Sequence, residues 1–209
     1  MARTTSKMDE NTTQNQVQNS PEIKQSWYQK TFIKDILSFL VIIVFVVIPF
    51  RIYIAQPYLV DGSSMDPTFK SGEYLIVDQL SFRLGDPKRG DVIVFRFPLN
   101  PKEFFIKRVI GLPNETVLIT PNGVVIKNTE NPEGFNLEEQ YVVFKKTDSL
   151  NYTLKDGEYF VMGDNRGASA DSRLWGAVPR KNIMGKPFVA LFPVDKIRLF
   201  PGSLSTFTK

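Results

Sequence analysis

Residues 36–50, ILSFLVIIVFVVIPF, form a run of fifteen residues without a charge. An apolar run of this length has to leave water, and few elements can take it out. One reading is a buried core helix, since fifteen residues are short for a membrane span. A second is the apolar stretch of a cleaved leader. Thirty-five residues would then precede it, and no Ala-x-Ala follows it directly. We read it as a single transmembrane helix, an anchor over residues 31–55. Ile52 to Ala55 would complete the span, and Arg51 would extend toward the headgroups. Trp27 and Tyr28 before the run and Tyr53 after it suit the two interfaces. The twenty residues before the run carry Lys24, Lys30 and Lys34, and the twenty after it carry Arg51 and Lys70. That excess puts the N-terminus in the cytoplasm and the rest of the chain on the outer face of the plasma membrane. An internal photosynthetic membrane fits the same pattern.

The flanks differ sharply from the run. Residues 1–30 are rich in Gln, Asn, Thr and Ser, and too poor in large apolar groups to offset ordering entropy, so they read as a disordered tail. Residues 56–209 read as a mainly β, antiparallel domain. The stretches EYLIVDQL, GDVIVFRF, FFIKRVIG, ETVLIT, GVVIKN, QYVVFKK, EYFVMG and PFVALF have strand composition. Turn signals separate them, and Pro121-Asn122-Gly123 predicts a hairpin. The looser, more polar residues 122–158 read as a β extension of this domain. No long amphipathic helix follows the run, and no repeat is present.

Composition removes several chemistries. The chain has no cysteine and no histidine, which excludes disulfides and thiol catalysis and leaves no ordinary zinc ligands. Carboxylates could still hold magnesium or calcium, but no calcium-loop spacing occurs, and no metal and no cofactor are expected. A net charge of +4 is spread over scattered pairs such as Lys88-Arg89 and Lys145-Lys146. That pattern fits an anionic lipid surface better than a nucleic acid.

Three stretches carry candidate chemistry. In DGSSMDPT, residues 61–68, Ser63 and Ser64 lie in a glycine-bearing turn that could present a nucleophile. A serine nucleophile usually works with a histidine base, and this chain has none. Met65 is an unusual turn residue, since its side chain must find a place to pack. In FFIKRVIG, residues 104–111, two cations interrupt an apolar strand. Alternation sends Lys107 and Arg108 to opposite faces, one toward solvent and one toward the core. A neutral lysine is a recognised base for serine. Bringing a lysine from about 10.4 to about 8 takes roughly 3 kcal/mol of bias against the charged form. Burial among Phe105, Ile106 and their neighbours would supply it. The third stretch, MGDNRGASADSRLWG, residues 162–176, packs polar side chains between two apolar strands. Each stretch also has a plain structural reading: a turn, an edge-strand lysine, and a surface loop with internal Asp–Arg pairs.

Taken together and in order, these stretches resemble the type I signal peptidases, membrane-anchored Ser-Lys proteases. GSSMDPT is similar to the family's Ser-Met-x-Pro-Thr box, KRVIGLP to the box carrying its base, and GDNRGASADSRLWG to its Gly-Asp-Asn-Arg-x-x-Ser-x-Asp-Ser-Arg box. GDVIVF and VPRKNIMGK also fit. The resemblance implies Ser64 as nucleophile and Lys107 as general base. It implies Ser169 orienting the Lys107 amine, Asp171 and Arg173 forming a supporting pair, and Asp164 and Asn165 holding the loop. The Ser64 amide would donate to the oxyanion. Where some members carry a serine donor two residues earlier, this chain has Gly62, and Ser63 would point the other way in an extended strand. The chain also has GLPNE where the family often has Gly-Asp after the proline. Val60, Met65, Phe69, Phe105 and Ile106, with Gly62 and Ser63 beside them, would bind an extended substrate cut after small residues, commonly Ala-x-Ala. The partners implied are signal-peptide-bearing preproteins and membrane lipid. Two competitors differ in kind. A self-cleaving repressor shares the chemistry but needs a DNA-binding helical domain in front. A non-catalytic, membrane-tethered β domain that binds exported proteins needs nothing special at Ser64 or Lys107.

Overall fold

The computed structural model describes residues 22–48, 55–144, 147, 149–193 and 197–203. Most of the polar tail, residues 1–21, and the Arg51–Tyr53 end of the anchor lie outside them. The chain divides into two units, Met1–Ile48 and Pro49–Lys209.

In the first unit, helix α1 spans Glu22–Ile42 and runs on into a π-helical turn, Ile43–Val47. Residues 22–30, expected in the disordered tail, are helical instead. EIKQSWYQK lacks glycine and proline, and Pro21 stands immediately before it, where a helix readily starts. Large apolar side chains from Phe32 to Ile48 are exposed, Phe45 by 74%. Among the described residues no helix is long and apolar enough to cross a membrane. Lys30, Lys34 and Asp35 place charges in the middle of α1. The uncharged part, residues 36–48, is about 20 Å long at 1.5 Å per residue, against about 30 Å of hydrocarbon.

The second unit is built from antiparallel strands. They are β1 (Ala55–Leu59), β2 (Tyr74–Asp78), β3 (Val92–Phe97), β4 (Asn100–Gly111), β5 (Thr116–Thr120) and β6 (Gly123–Lys127). There follow β7 (Phe135–Asn136), β8 (Leu150–Thr153), β9 (Glu158–Met162), β10 (Val178–Pro179), β11 (Ile183–Phe192) and β12 (Arg198–Leu199). An eight-stranded sheet has the order β1-β2-β11-β3-β4-β9-β10, with β12 paired to β11. A four-stranded sheet has the order β7-β6-β5-β8.

Burial follows the strand patterns. In β5 and β6, Val117, Ile119, Val124 and Ile126 point into one core and alternate with more open positions. β3 reads VIVF without alternation because both of its faces are covered. Val92 and Val94 pack with Met65, Phe69, Leu75 and Val77, while Ile93 and Phe95 pack with Phe82, Val109 and Val161. Each such buried side chain contributes about 2 kcal/mol.

The structure redraws three boundaries. Ala55, placed at the end of the anchor, opens β1, which pairs with β2 from Ala55 opposite Asp78 to Leu59 opposite Tyr74. The β extension occupies 116–153 rather than 122–158, because both arms of the Pro121–Gly123 hairpin belong to it and Glu158 starts β9 of the large sheet. QYVVFKK forms no strand over Tyr141–Phe144. Val143 and Phe144 are exposed there, and Tyr141 turns inward over the Arg108 guanidinium, 4.1 Å from its ring centre.

Candidate active site

Ser64 lies in a turn between β1 and β2. The base of the loop is closed by Val60 N–H to Glu73 O and Gly72 N–H to Val60 O, each 2.9 Å. Inside it, Phe69 N–H donates to Met65 O at 2.9 Å and Asp66 N–H to Ser63 O at 3.2 Å. The two apolar residues of the turn, Met65 and Phe69, anchor it from within and are fully buried against Val92, Leu75 and Val77. They were expected to line substrate pockets; they are core instead. A helical i to i+4 contact turns both inward together. The chain at Gly62 and Ser63 is likewise a bend rather than a strand, so the alternation that set Ser63 against Ser64 does not apply. Both are exposed and border a groove.

Strand β4 brings Lys107 to this turn. Its amine Nζ lies 2.7 Å from Ser64 Oγ and 2.9 Å from the Ile106 carbonyl oxygen, and 5.3 Å from the Phe105 ring centre. Lys107 is only 5% exposed. Burial lowers its ammonium to about 8, with the Asp171 and Asp164 carboxylates pulling weakly the other way. Neither cation of the Lys-Arg pair faces solvent. Arg108 is completely buried and makes four hydrogen bonds. Its Nε and Nη2 donate to the two oxygens of Asp164 at 2.8 and 2.6 Å, and Nη1 donates to the carbonyls of Gly90 and Gly202, both at 2.8 Å. Alternation did separate the two side chains, but both faces of β4 are covered here. A buried guanidinium persists when a carboxylate and carbonyls accept from it in this way.

Asp164 and Asn165 tie the loop after β9 to the Ser64 turn. Asp164 Oδ2 accepts from Thr68 Oγ1 at 2.6 Å, and Asn165 N–H donates to the Ser64 carbonyl at 3.1 Å. Asn165 Oδ1 accepts from Ala168 N–H, also at 3.1 Å. Gly163 lets the two segments touch: a Cβ there would collide with the Ser64 carbonyl oxygen and the Ser169 side chain. Asp171 accepts from Gly163 N–H at 3.0 Å and from Arg173 Nε and Nη2, both at 2.8 Å. Burial acts to raise the Asp171 carboxyl, but the Arg173 hydrogen bonds and charge, the Gly163 amide and the Ser169 hydroxyl together hold it below the usual range. Ser169 was expected to orient the Lys107 amine. Its hydroxyl is buried without a hydrogen bond of regular geometry, although it lies close enough to Asp171 to help hold that carboxyl down, and the Ile106 carbonyl takes the second place on Lys107.

Arg108, Thr68, Tyr141 and the Arg166–Glu139 ion pair were not anticipated as supports. The signal for Arg108 was its place beside Lys107 in an otherwise apolar strand. Arg166 and Glu139 sit 27 positions apart, and no local pattern joins them.

The groove beside Ser64 encloses about 440 Å³ and is walled by Tyr58, Val60, Phe104, Phe105 and Ile106, with Ala168 and Ala170 from the loop after β9. β1 is the outer strand of its sheet, and β4 meets β9 only from Arg108 onward. Among the described residues, two strand edges without a ladder partner, at Tyr58–Leu59 and Phe104–Lys107, therefore border one groove, an arrangement suited to an extended peptide.

Known proteins are similar to this chain in sequence. Residues 33–192 match the family model described as signal peptidase, peptidase S26. The chain is 35% identical over 200 residues to a probable signal peptidase I-1 of Synechocystis sp., covering 92% of this chain and 95% of that one. It is 34% identical over 193 residues to a probable signal peptidase I-2 of the same organism, covering 90% and 85%. A signal peptidase I of Aquifex aeolicus is 32% identical over 225 residues, covering 81% and 88%. With a family match across most of its length and identities of this size over nearly whole chains, the protein belongs to the signal peptidase family, peptidase S26.

Proposed function

We propose that this chain is a membrane-bound serine endopeptidase that removes N-terminal signal peptides from preproteins, with Ser64 as nucleophile and Lys107 as general base. The observation that carries the mechanism is a buried Lys107 amine 2.7 Å from Ser64 Oγ. With its ammonium lowered to about 8, Lys107 has a usable neutral fraction near neutrality and no histidine is needed. Neutral Nζ takes the Ser64 proton as Oγ bonds to the scissile carbonyl carbon. The Ser64 amide donates to the resulting oxyanion. The Lys107 ammonium then passes the proton to the leaving nitrogen, the C–N bond breaks, and the mature N-terminus departs. Water, deprotonated by the same amine, hydrolyses the acyl-enzyme and frees the signal peptide.

Asp171 and Arg173 keep the loop rigid, and Asp164 and Asn165 hold it to the nucleophile turn. The Ser169 hydroxyl, which makes no hydrogen bond of regular geometry, can rotate, and in this reading it steadies the amine during the cycle. Val60, Phe105 and Ile106 form shallow apolar walls that select small residues before the cut. The exposed apolar side chains of α1 and the π-helical turn after it, Phe32 to Ile48, support a membrane anchor, and the lysine excess before the run favours a catalytic unit on the outer face. The test is to incubate the detergent-solubilised chain with a preprotein and sequence the new N-terminus. Wild type should cut after Ala-x-Ala and Ser64→Ala should not. A folded wild type that binds the preprotein and cuts nothing favours the tethered binding domain.

A further inference from the structure

The family match ends at Phe192, yet residues 198–202 reach the back of the Ser64 turn. Arg198 Nη1 donates to the Thr68 carbonyl at 3.0 Å. Its Nη2 donates to both oxygens of the buried Glu73 carboxylate at 2.9 and 2.7 Å, and its guanidinium stands 5.8 Å from the Phe69 ring centre. Four residues on, Gly202 lies flat against the same ring. A Cβ at Gly202 would come within 2.9 Å of Phe69 and 2.8 Å of Val92, and its φ of +78° favours glycine. The Gly202 carbonyl also accepts from the buried Arg108 Nη1 at 2.8 Å. Phe200 N–H donates to Phe188 O at 2.8 Å and seats the segment on β11.

The Ser64 turn is thus gripped from two sides. Thr68 Oγ1 reaches forward to Asp164, and the Thr68 carbonyl is held from behind by Arg198. Met65 and Phe69 are pinned by the core on one side, and Phe69 by Gly202 and Arg198 on the other. None of these tail residues lines the substrate groove. We infer that Arg198 and the Pro201–Gly202 turn are positioning elements for the nucleophile: they fix the turn that sets Ser64 Oγ against Lys107, without contacting substrate. This rests on Ser64 being the nucleophile. Because a shift of about 1 Å in a reacting group lowers turnover on the order of a hundredfold, partial loosening should lower kcat about tenfold and leave KM nearly unchanged.

The experiment compares four full-length, detergent-solubilised chains: wild type, Arg198→Met, Arg198→Lys, and Val124→Ala as a control in the small sheet's core. Each is assayed for kcat and KM on a preprotein, for acylation of Ser64 by a serine-reactive fluorophosphonate, and for thermal midpoint. Arg198→Met should lose about tenfold in kcat and in acylation rate, with KM within about twofold. Arg198→Lys can hold Glu73 or Thr68 but not both, and should fall between. Val124→Ala should lower the midpoint while keeping kcat. If Arg198→Met loses no more kcat than Val124→Ala, the positioning role is wrong. If Arg198→Met does not fold, an unchanged kcat in Arg198→Lys overturns the inference alone. A wild type that cuts nothing refutes the proposed function instead, and the positioning role with it.

Discussion

Replacing Lys107 with methionine should make the protein more stable below pH 8 while removing its activity. The side chain keeps its stem and loses the ammonium. In the native state that ammonium is lowered from 10.5 to about 8, chiefly by burial. A difference of that size corresponds to about 3 kcal/mol. The sign follows from proton binding. Below pH 8 the group is protonated in both states, so the native state bears the whole burden of a buried charge. Between pH 8 and 10.5 the unfolded chain holds the proton more tightly, so wild-type stability rises with pH through that window and levels beyond it. Methionine does not titrate. Urea unfolding of both chains at several pH values should therefore show the variant's advantage shrinking by about 3 kcal/mol from pH 7 to 10.5. Loss of the bonds to Ser64 Oγ and Ile106 O subtracts about 1 kcal/mol each at every pH and does not alter that difference. A stability difference that stays flat across this range would refute the claim that the fold strains this lysine toward neutrality.

Other substitutions probe the supports. Asp164→Asn leaves Arg108 buried without its carboxylate and should destabilise by about 3–5 kcal/mol in chemical denaturation. Phe69→Ala should cost about 3–5 kcal/mol by the same assay while leaving the cleavage site unchanged, because Phe69 is core rather than groove. Ile106→Ala opens the groove wall, and product sequencing should show larger residues accepted before the cut. Gly163→Ala pushes the Ser64 carbonyl away from the loop and should abolish cleavage while circular dichroism still reports β structure.

Much of this architecture was legible because strand composition and turn residues agree: β2 to β6, β9 and β11 fall where Val, Ile, Phe and Tyr cluster between Gly, Pro and Asn. One error came from using alternation where tertiary packing decides. Alternation implied a solvent-facing cation at Lys107-Arg108, but both faces of β4 are covered and Arg108 finds four acceptor contacts from distant segments. The family resemblance implied a pocket role for Met65 and Phe69, which the helical turn directs inward. Residues 22–30 looked too polar to order, yet their propensity suffices when continuous with an apolar helix. The grip of Arg198 on Thr68 joins positions 130 apart, and no local signal could carry it.

The most direct test of Lys107 as the base is the pH dependence of preprotein cleavage by wild type and Lys107→Ala, from pH 6 to 10. With the lysine titrating at about 8, wild-type kcat/KM should rise about tenfold per unit at low pH and level above 8, and Lys107→Ala should be silent throughout. A variant that still cuts at an appreciable rate, or a wild-type profile flat from pH 6 to 8, would show that another group takes the Ser64 proton.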